Sequence, residues 1–272
     1  MIPTFRFAPS PTGHLHLGHA LSALSVWRAA EAAGGRVLLR IEDIDPIRSK
    51  PDYAAAIEED LAWLGLAWDG PVTRQSERMA FYAEALARLD ARGLLYDCRL
   101  SRADIAAALG ENAPRDPDGA PRLPVPGANP SDPAGPAARR LDMARALAAL
   151  GRAPLTFEEE GEGAVHARPE DWGDVVLARK ETPTSYHLAV VVDDAAQGVS
   201  HVVRGRDLRR ATDVHRLLQE LLGLPAPRYR HHWLIPAADG AKLSKSRGAP
   251  SLRALRAEGF SRDDVIRALG PL

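Results

Sequence analysis

Cysteine is almost missing from this 272-residue chain, which holds a single one, Cys98. That excludes an internal disulfide framework and fits a reducing compartment, so the cytoplasm is the expected location. No apolar run approaches the roughly 18 to 20 residues of a membrane span. The start, "MIPTFRFAPS", lacks the basic region and apolar stretch of a secretory signal. Internal repeats are absent, and so are a Walker A loop and a G-x-G-x-x-G, which leaves those nucleotide folds without support.

What is present is an ordinary globular composition, 45% apolar and 26% charged, at a length that buries a substantial core. The net charge of −1 conceals an asymmetry. From Val199 to the end there are 14 Lys/Arg against 7 Asp/Glu, and the other 198 residues carry 21 against 29. A basic C-terminal quarter suits a polyanionic partner, although charge alone does not separate that from a solvated helix face.

The pattern along the chain predicts an α/β domain. "TFRFA" reads as a strand stopped by Pro9, and "LGHALSALSVWRAAEAAGG" as a helix ended by Gly34-Gly35. "RVLLRIEDID" is a buried strand that turns acidic. "PDYAAAIEEDLAWLGLAW" and "SERMAFYAEALARLDARG" read as amphipathic helices, and "LLYDC" as a short strand. This alternation predicts a parallel sheet with right-handed crossovers. Residues 110–136, rich in Pro, Gly, Asp and Ala, then form an extended surface segment with little core of their own. "AARRLDMARALAAL" reads as a helix, "SYHLAVVVDDAAQGVSHVVRG" as two strands joined at Gln197-Gly198, and "DLRRATDVHRLLQELLG" as a helix. The strand-like "YRHHWLIP" and two terminal helical stretches follow. The expected organisation is a split domain: residues 1–95 as its first half, 96–183 as an insertion, 184–236 as its second half, and 237–272 as a loop and helical region.

Two loops carry chemistry. In "PSPTGHLHLGH" a strand, a Pro/Gly turn and a helix start make an anion-binding arrangement, with free N–H groups and the helix dipole aimed at the ligand. His16 and His19, three apart, can point to one side, and Gly18 allows a flat base to stack closely. Three histidines in six residues also invite a metal reading, but no third ligand with zinc spacing stands nearby. The second loop, "DGAKLSKSRGAPSL", sets Lys242, Ser244, Lys245 and Ser246 on a Gly-flanked turn suited to a polyphosphate whose charge builds during reaction.

Together, "HLGH" and "KLSKS" resemble the HIGH and KMSKS signatures of class I aminoacyl-tRNA synthetases. "RFAPSPTG", "RIEDID" followed by Arg48-Ser49, and "SYHLAVVVDDAAQGVSHVVRGRDL" look like the glutamyl-tRNA synthetase catalytic domain, in the same order. The resemblance spans nearly the whole chain and is weakest over the Pro-rich segment. The chain ends about 26 residues after KLSKS, where a full-length glutamyl-tRNA synthetase continues into an anticodon-binding domain. In this, and in Val191 where full-length enzymes often have Asn, it is similar to the family of short paralogues that glutamylate queuosine in tRNA(Asp).

The resemblance implies a Rossmann-like class I fold split by an inserted α+β subdomain, with a short helical C-terminal region. It implies activation of L-glutamate with ATP and Mg²⁺, transfer to the queuosine base of tRNA(Asp), and action as a monomer. It assigns Arg6, Ala8, Ser10, Glu42, Tyr186 and Arg204 to glutamate, with Arg6 and Arg204 on carboxylates and Glu42 on the ammonium group. His16, His19 and Lys245 become the catalytic residues, and Gly18, Lys242 and Ser244 join them at ATP. Asp43 and Asp45 are both expected to be structural, held through Arg48, with ligand contact as the alternative. One departure stands out. Many members begin a zinc site with Cys-x-Cys after the "LLY" strand, but here the segment is "YDCRLS", with Leu100 in place of the second thiolate. No structural zinc is expected, and Cys98 is expected to be a partly buried thiol. Two alternatives remain open on sequence: a short glutamyl-tRNA synthetase charging a tRNA 3′ end, and a non-catalytic, synthetase-like RNA-binding protein.

Overall fold

Phe5 and Phe7 alternate with Thr4 and Arg6, and all four are buried, so the opening strand β1 (Thr4–Phe7) is interior on both faces. In this computed structural model, residues 2–108, 113–124, 129–151, 154–235 and 250–270 are described. Helix α1 (Leu17–Ala32) follows, then β2 (Arg36–Ile41), α2 (Pro51–Trp63), β3 (Thr73–Arg74) and α3 (Met79–Ala91). Strands β1, β2 and β3 pair in parallel, with Arg6 opposite Leu38 and Ile41 opposite Arg74. The two α-helical crossovers make this the parallel sheet that the alternation predicts.

A second group of elements runs β4 (Leu95–Cys98), α4 (Arg102–Ala108), β5 (Ala138–Leu141), α5 (Met143–Leu150), β6 (Thr156–Glu159), β7 (Gly163–His166) and β8 (Val176–Ala178). Strands β4, β5 and β8 form an antiparallel sheet. "AARRL", read in sequence as the start of a helix, is therefore strand β5. Asp142 explains the boundary, because its carboxylate accepts the Arg145 N–H and caps α5.

The chain then forms α6 (Tyr186–Ala196), β9 (His201–Gly205), α7 (Ala211–Leu222), β10 (Arg228–His232), α8 (Leu252–Ala257) and α9 (Arg262–Leu269). Here the expected pair of strands is corrected: "YHLAVVVDDAA" is a helix. Ser185 caps it at the Leu188 N–H, and residues from Leu188 to Asp194 are all buried. A run buried on every side has no amphipathic period, so three β-branched valines mislead. Gly198, at φ 65°, turns the chain from this helix into β9.

Strand β9 pairs in parallel with β10, which hydrogen-bonds β6 in turn, giving the order β7-β6-β10-β9. The two halves meet where β9 lies alongside β1. Ser200 N–H donates to the Thr4 carbonyl at 2.9 Å, Thr4 N–H donates to Ser200 Oγ at 2.8 Å, and the Phe5 and His201 rings stack at 4.8 Å. In an open α/β sheet the crevice at such a change of direction is where ligands bind. Leu252, Leu255, Val265 and Leu269 pack the two terminal helices onto the core of β1, β2, α1 and α2. Among the described residues, no helix is long and apolar enough to cross a membrane.

Candidate active site

A cleft of about 1050 Å³ opens where β1, β2 and β9 end, and Arg6, Ala8, Ser10, His16, Gly18, His19, Glu42, Tyr186 and Arg204 all line it. Every expected site residue within the described regions is thus brought to one cavity. Lys242, Ser244 and Lys245 lie outside the described residues. On either side of that stretch, Ile235 lines the cleft, and Ser251 forms a β-bridge with His16. The Leu252 N–H also donates to the Leu15 carbonyl at 2.8 Å.

The opening loop is shaped by backbone bonding. Glu42 N–H donates to the Pro9 carbonyl, Lys50 N–H to the Pro11 carbonyl, and Thr12 N–H to the Ser10 carbonyl. His16 is the N-cap of α1. Its Nδ1 accepts the Gly18 N–H at 3.0 Å, and the His16 N–H donates to His19 Nδ1 at 3.1 Å. Both Nδ1 atoms are therefore acceptors, which puts the proton of each neutral ring on Nε2. The ring centroids lie 3.9 Å apart, as their spacing predicts. A Cβ at Gly18 would come within 2.9 Å of His16 Cε1, so glycine is required for this packing. His14, the third histidine, sits edge-on to Tyr53.

At the base of the cleft lies a network that sequence reading missed. Arg40, wholly buried, donates from Nη1 to Asp194 at 2.8 Å and to Gln197 at 2.7 Å, and from Nη2 to Glu42 at 3.3 Å. Arg6 donates its Nε–H to Asp194 at 3.1 Å. Asp193 accepts from Arg78 Nε at 2.6 Å, Tyr82 Oη at 2.8 Å and Gln75 Nε2 at 2.9 Å. Three guanidinium groups (Arg6, Arg40 and Arg78) thus face three carboxylates (Glu42, Asp193 and Asp194). Burial alone would raise the Asp194 pKa, but Arg6 and Arg40 outweigh it and hold Asp194 below the usual range. Burial pushes Glu42 up, with Arg40 and Arg6 offsetting part of that. A sequence signal did exist: an arginine inside the apolar strand "VLLRI", and two aspartates closing "AVVVDD".

Arg204 has different surroundings. Its Nε–H donates to His231 Nε2 at 3.2 Å, and Nη2 donates to Thr212 Oγ1 at 2.7 Å. Nη1 donates to His215 Nδ1 at 3.2 Å and to the Tyr186 hydroxyl at 3.3 Å. All four partners are neutral. Burial, then the charge of Arg204, lowers His231 to about 3 and His187, behind His215, to about 4, and holds His215 well below its ordinary value. Among the described residues no carboxylate comes within salt-bridge distance of this buried guanidinium. A buried cation without a counter-ion is costly unless a ligand supplies the anion. Arg6 offers a second donor pair, since its Nη1 and Nη2 make no hydrogen bond to another described residue.

Asp43 and Asp45 have local roles. Asp43 accepts from the Ser76 N–H at 2.8 Å and from Ser76 Oγ at 2.7 Å. Asp45 accepts the Ile47 and Arg48 N–H groups and pairs with the Arg48 side chain at 3.3 Å. Away from the cleft, Cys98 is buried against Ile105 and Leu123, with Tyr96 and Leu100 packed on the same cluster.

Residues 4–272 match the family described as the catalytic domain of class I tRNA synthetases (E and Q). The glutamyl-Q tRNA(Asp) synthetase of Rhodobacter capsulatus is 51% identical over 97% of this chain and 99% of its own length. That of Symbiobacterium thermophilum is 42% identical, over 98% of this chain and 85% of its own. A glutamate–tRNA synthetase structure from Elizabethkingia anophelis has a TM-score of 0.78 at 25% identity, covering 100% of this chain and 62% of that one. A glutamate tRNA ligase from Elizabethkingia meningosepticum, in complex with its amino acid, has a TM-score of 0.70 at 27% identity, covering 96% and 54%. The chain therefore spans less than two thirds of the length of either solved chain.

Proposed function

The chain belongs to the class I tRNA synthetases for glutamate and glutamine, and from that premise we propose that it activates L-glutamate with ATP and transfers it to the queuosine base of tRNA(Asp). The observation that carries the amino-acid assignment is Arg204, a buried cation surrounded by neutral partners at the end of β9. An acidic side chain supplies the missing negative charge, and a carboxamide does not. Arg6 receives a substrate carboxylate through its Nη groups, and Glu42 receives the ammonium group. Ala8 and Ser10 line the same wall.

ATP fits the start of α1. The Nε2–H groups of His16 and His19 donate to phosphate oxygens, and Gly18 admits the adenosine close to backbone. Lys242, Ser244 and Lys245 complete the phosphate site, Lys245 meeting the charge that develops. The glutamate α-carboxylate attacks the α-phosphorus in line. The P–O bond to the β-phosphate breaks, pyrophosphate leaves, and glutamyl-adenylate remains. No enzyme nucleophile takes part, so catalysis rests on positioning and charge stabilisation. Mg²⁺ enters as part of the MgATP substrate, carried by phosphate and water oxygens. Among the described residues no three metal-ligating side chains group together. In the second step a queuosine hydroxyl attacks the acyl carbon and AMP departs.

The acceptor assignment rests on the 51% identity to a glutamyl-Q tRNA(Asp) synthetase across nearly the full length of both chains. Glutamate-dependent pyrophosphate–ATP exchange without tRNA tests the first step. No exchange in the presence of Mg²⁺ refutes the enzymatic reading and leaves the RNA-binding alternative. Charging of tRNA(Asp) with and without queuosine tests the second. Equal incorporation into both forms refutes the queuosine acceptor and favours charging of a tRNA 3′ end.

A further inference from the structure

Glu159 is a buried carboxylate that the activation chemistry does not use, and it comes from hairpin β6–β7, which precedes β9 and β10 in the chain and extends their sheet beside β10. Its Oε1 accepts the His231 backbone N–H at 2.9 Å, and its Oε2 meets His231 Nδ1 at 2.7 Å. On the other edge of the same imidazole, Nε2 faces Arg204 Nε at 3.2 Å. An arginine N–H only donates, so Nε2 is the acceptor and the single ring proton sits on Nδ1, directed at Glu159. The order is therefore fixed: Arg204 Nε–H to imidazole, imidazole Nδ1–H to carboxylate.

A second branch has the same polarity. Arg204 Nη1 donates to His215 Nδ1, which puts the His215 proton on Nε2, 3.2 Å from His187 Nδ1. With Tyr186 and Thr212 also engaged, four of the five guanidinium N–H bonds have partners. One N–H on Nη2 remains, together with the Tyr186 hydroxyl, for a ligand in the cleft.

We propose that Glu159 and His231 are a positioning pair for Arg204, fixing the plane of its guanidinium and the one N–H left for the substrate's side-chain carboxylate. The imidazole keeps Glu159 from ion-pairing with Arg204 directly. Glu159 thus stabilises the orientation without cancelling the charge that the substrate must meet. This rests on the reading of glutamate as the activated amino acid. It gives the hairpin at the edge of the β9–β10 sheet a part in substrate choice.

The test is glutamate-dependent pyrophosphate–ATP exchange on wild type, Glu159→Gln, His231→Leu and His231→Gln, with melting temperatures alongside. A glutamine at 159 accepts only one of the two N–H groups that the carboxylate takes. His231→Leu removes the relay, while His231→Gln can accept from Arg204 and donate to Glu159. Glu159→Gln and His231→Leu should raise the KM for glutamate about ten- to a hundred-fold, the scale of a hydrogen bond to a charged group. The KM for ATP and kcat should stay within about twofold, the split expected when binding shared equally by ground and transition states is lost. His231→Gln should recover most of the glutamate KM. A glutamate KM within about twofold of wild type in both disruptive variants overturns the proposal, as does a rise that His231→Gln fails to reverse. If Glu159→Gln does not fold, the two His231 variants decide alone, and if His231→Leu does not fold, Glu159→Gln against His231→Gln decides. Failure of wild type to exchange with glutamate would instead refute the activation reading.

Discussion

Replacing Arg40 by methionine should unfold the protein earlier and loosen its hold on glutamate together. Arg40 is the wholly buried member of the charge network and touches Asp194, Glu42 and Gln197 at 2.7–3.3 Å. Removing one partner of a buried pair costs about 3–5 kcal/mol, because the other charge is left without compensation. Asp194 keeps Arg6 and Asp193 keeps Arg78, so the low end applies. At about 2–4 °C per kcal/mol for a chain near this size, melting should fall by about 6–12 °C. Glu42 loses its guanidinium partner, and its pKa, already raised by burial, rises further. A more protonated Glu42 is a poorer partner for an ammonium group, so the glutamate KM should rise about tenfold, equivalent to about 1.4 kcal/mol. Raising the pH should restore part of it, since deprotonation regenerates the carboxylate. Arg40→Lys keeps the charge but not the fork and should fall between. Melting by circular dichroism and pyrophosphate–ATP exchange read both effects. A methionine variant that melts within about 2 °C of wild type with an unchanged KM would refute the reasoning.

Gly18→Ala should force His16 off the helix cap and lower kcat/KM for ATP about tenfold or more, with the glutamate KM little changed; exchange kinetics with each substrate varied will show it. Asp60 is buried on α2, and burial pushes its pKa up to about 6. Between pH 4 and 6 the folded carboxyl keeps a proton that the unfolded one has lost, so its contribution to stability declines as pH rises through that window. Asp60→Asn should therefore stabilise by about 2–3 kcal/mol at pH 7.5, and much less at pH 4, in denaturant titrations. Lys245→Ala should abolish most glutamyl-adenylate formation while glutamate binding, measured by calorimetry, is retained; unchanged activation would refute the lysine's role.

The first half of the parallel sheet was legible because β1, α1, β2 and α2 carry period, caps and Pro/Gly stops that agree with the fold. The cleft was legible for the same reason that class I motifs are: Arg6, His16, Gly18, His19, Glu42 and Arg204 stand at strand ends and helix starts, where geometry demands particular residues. Helix α6 was not, because burial on all sides removes the polar face that betrays a helix. The wider network around Arg204 was not legible either, Tyr186 apart. Glu159, Thr212, His215 and His231 come from three separate elements, and nothing local in "TFEEE" or "YRHHW" reports that they converge. Long-range hydrogen bonds of this kind follow from topology alone.

The histidine that opens α1 sets a limit on how stable this chain can become. Serine or aspartate at position 16 would cap the helix as well as or better than an imidazole. Either would delete the ring whose Nδ1 is committed to backbone and whose Nε2 thereby carries the proton. On the proposed role of His16 at ATP, random selection for heat tolerance would favour such substitutions, and a screen for activity would discard them. Position 16 is thus a place where thermostability and turnover pull apart.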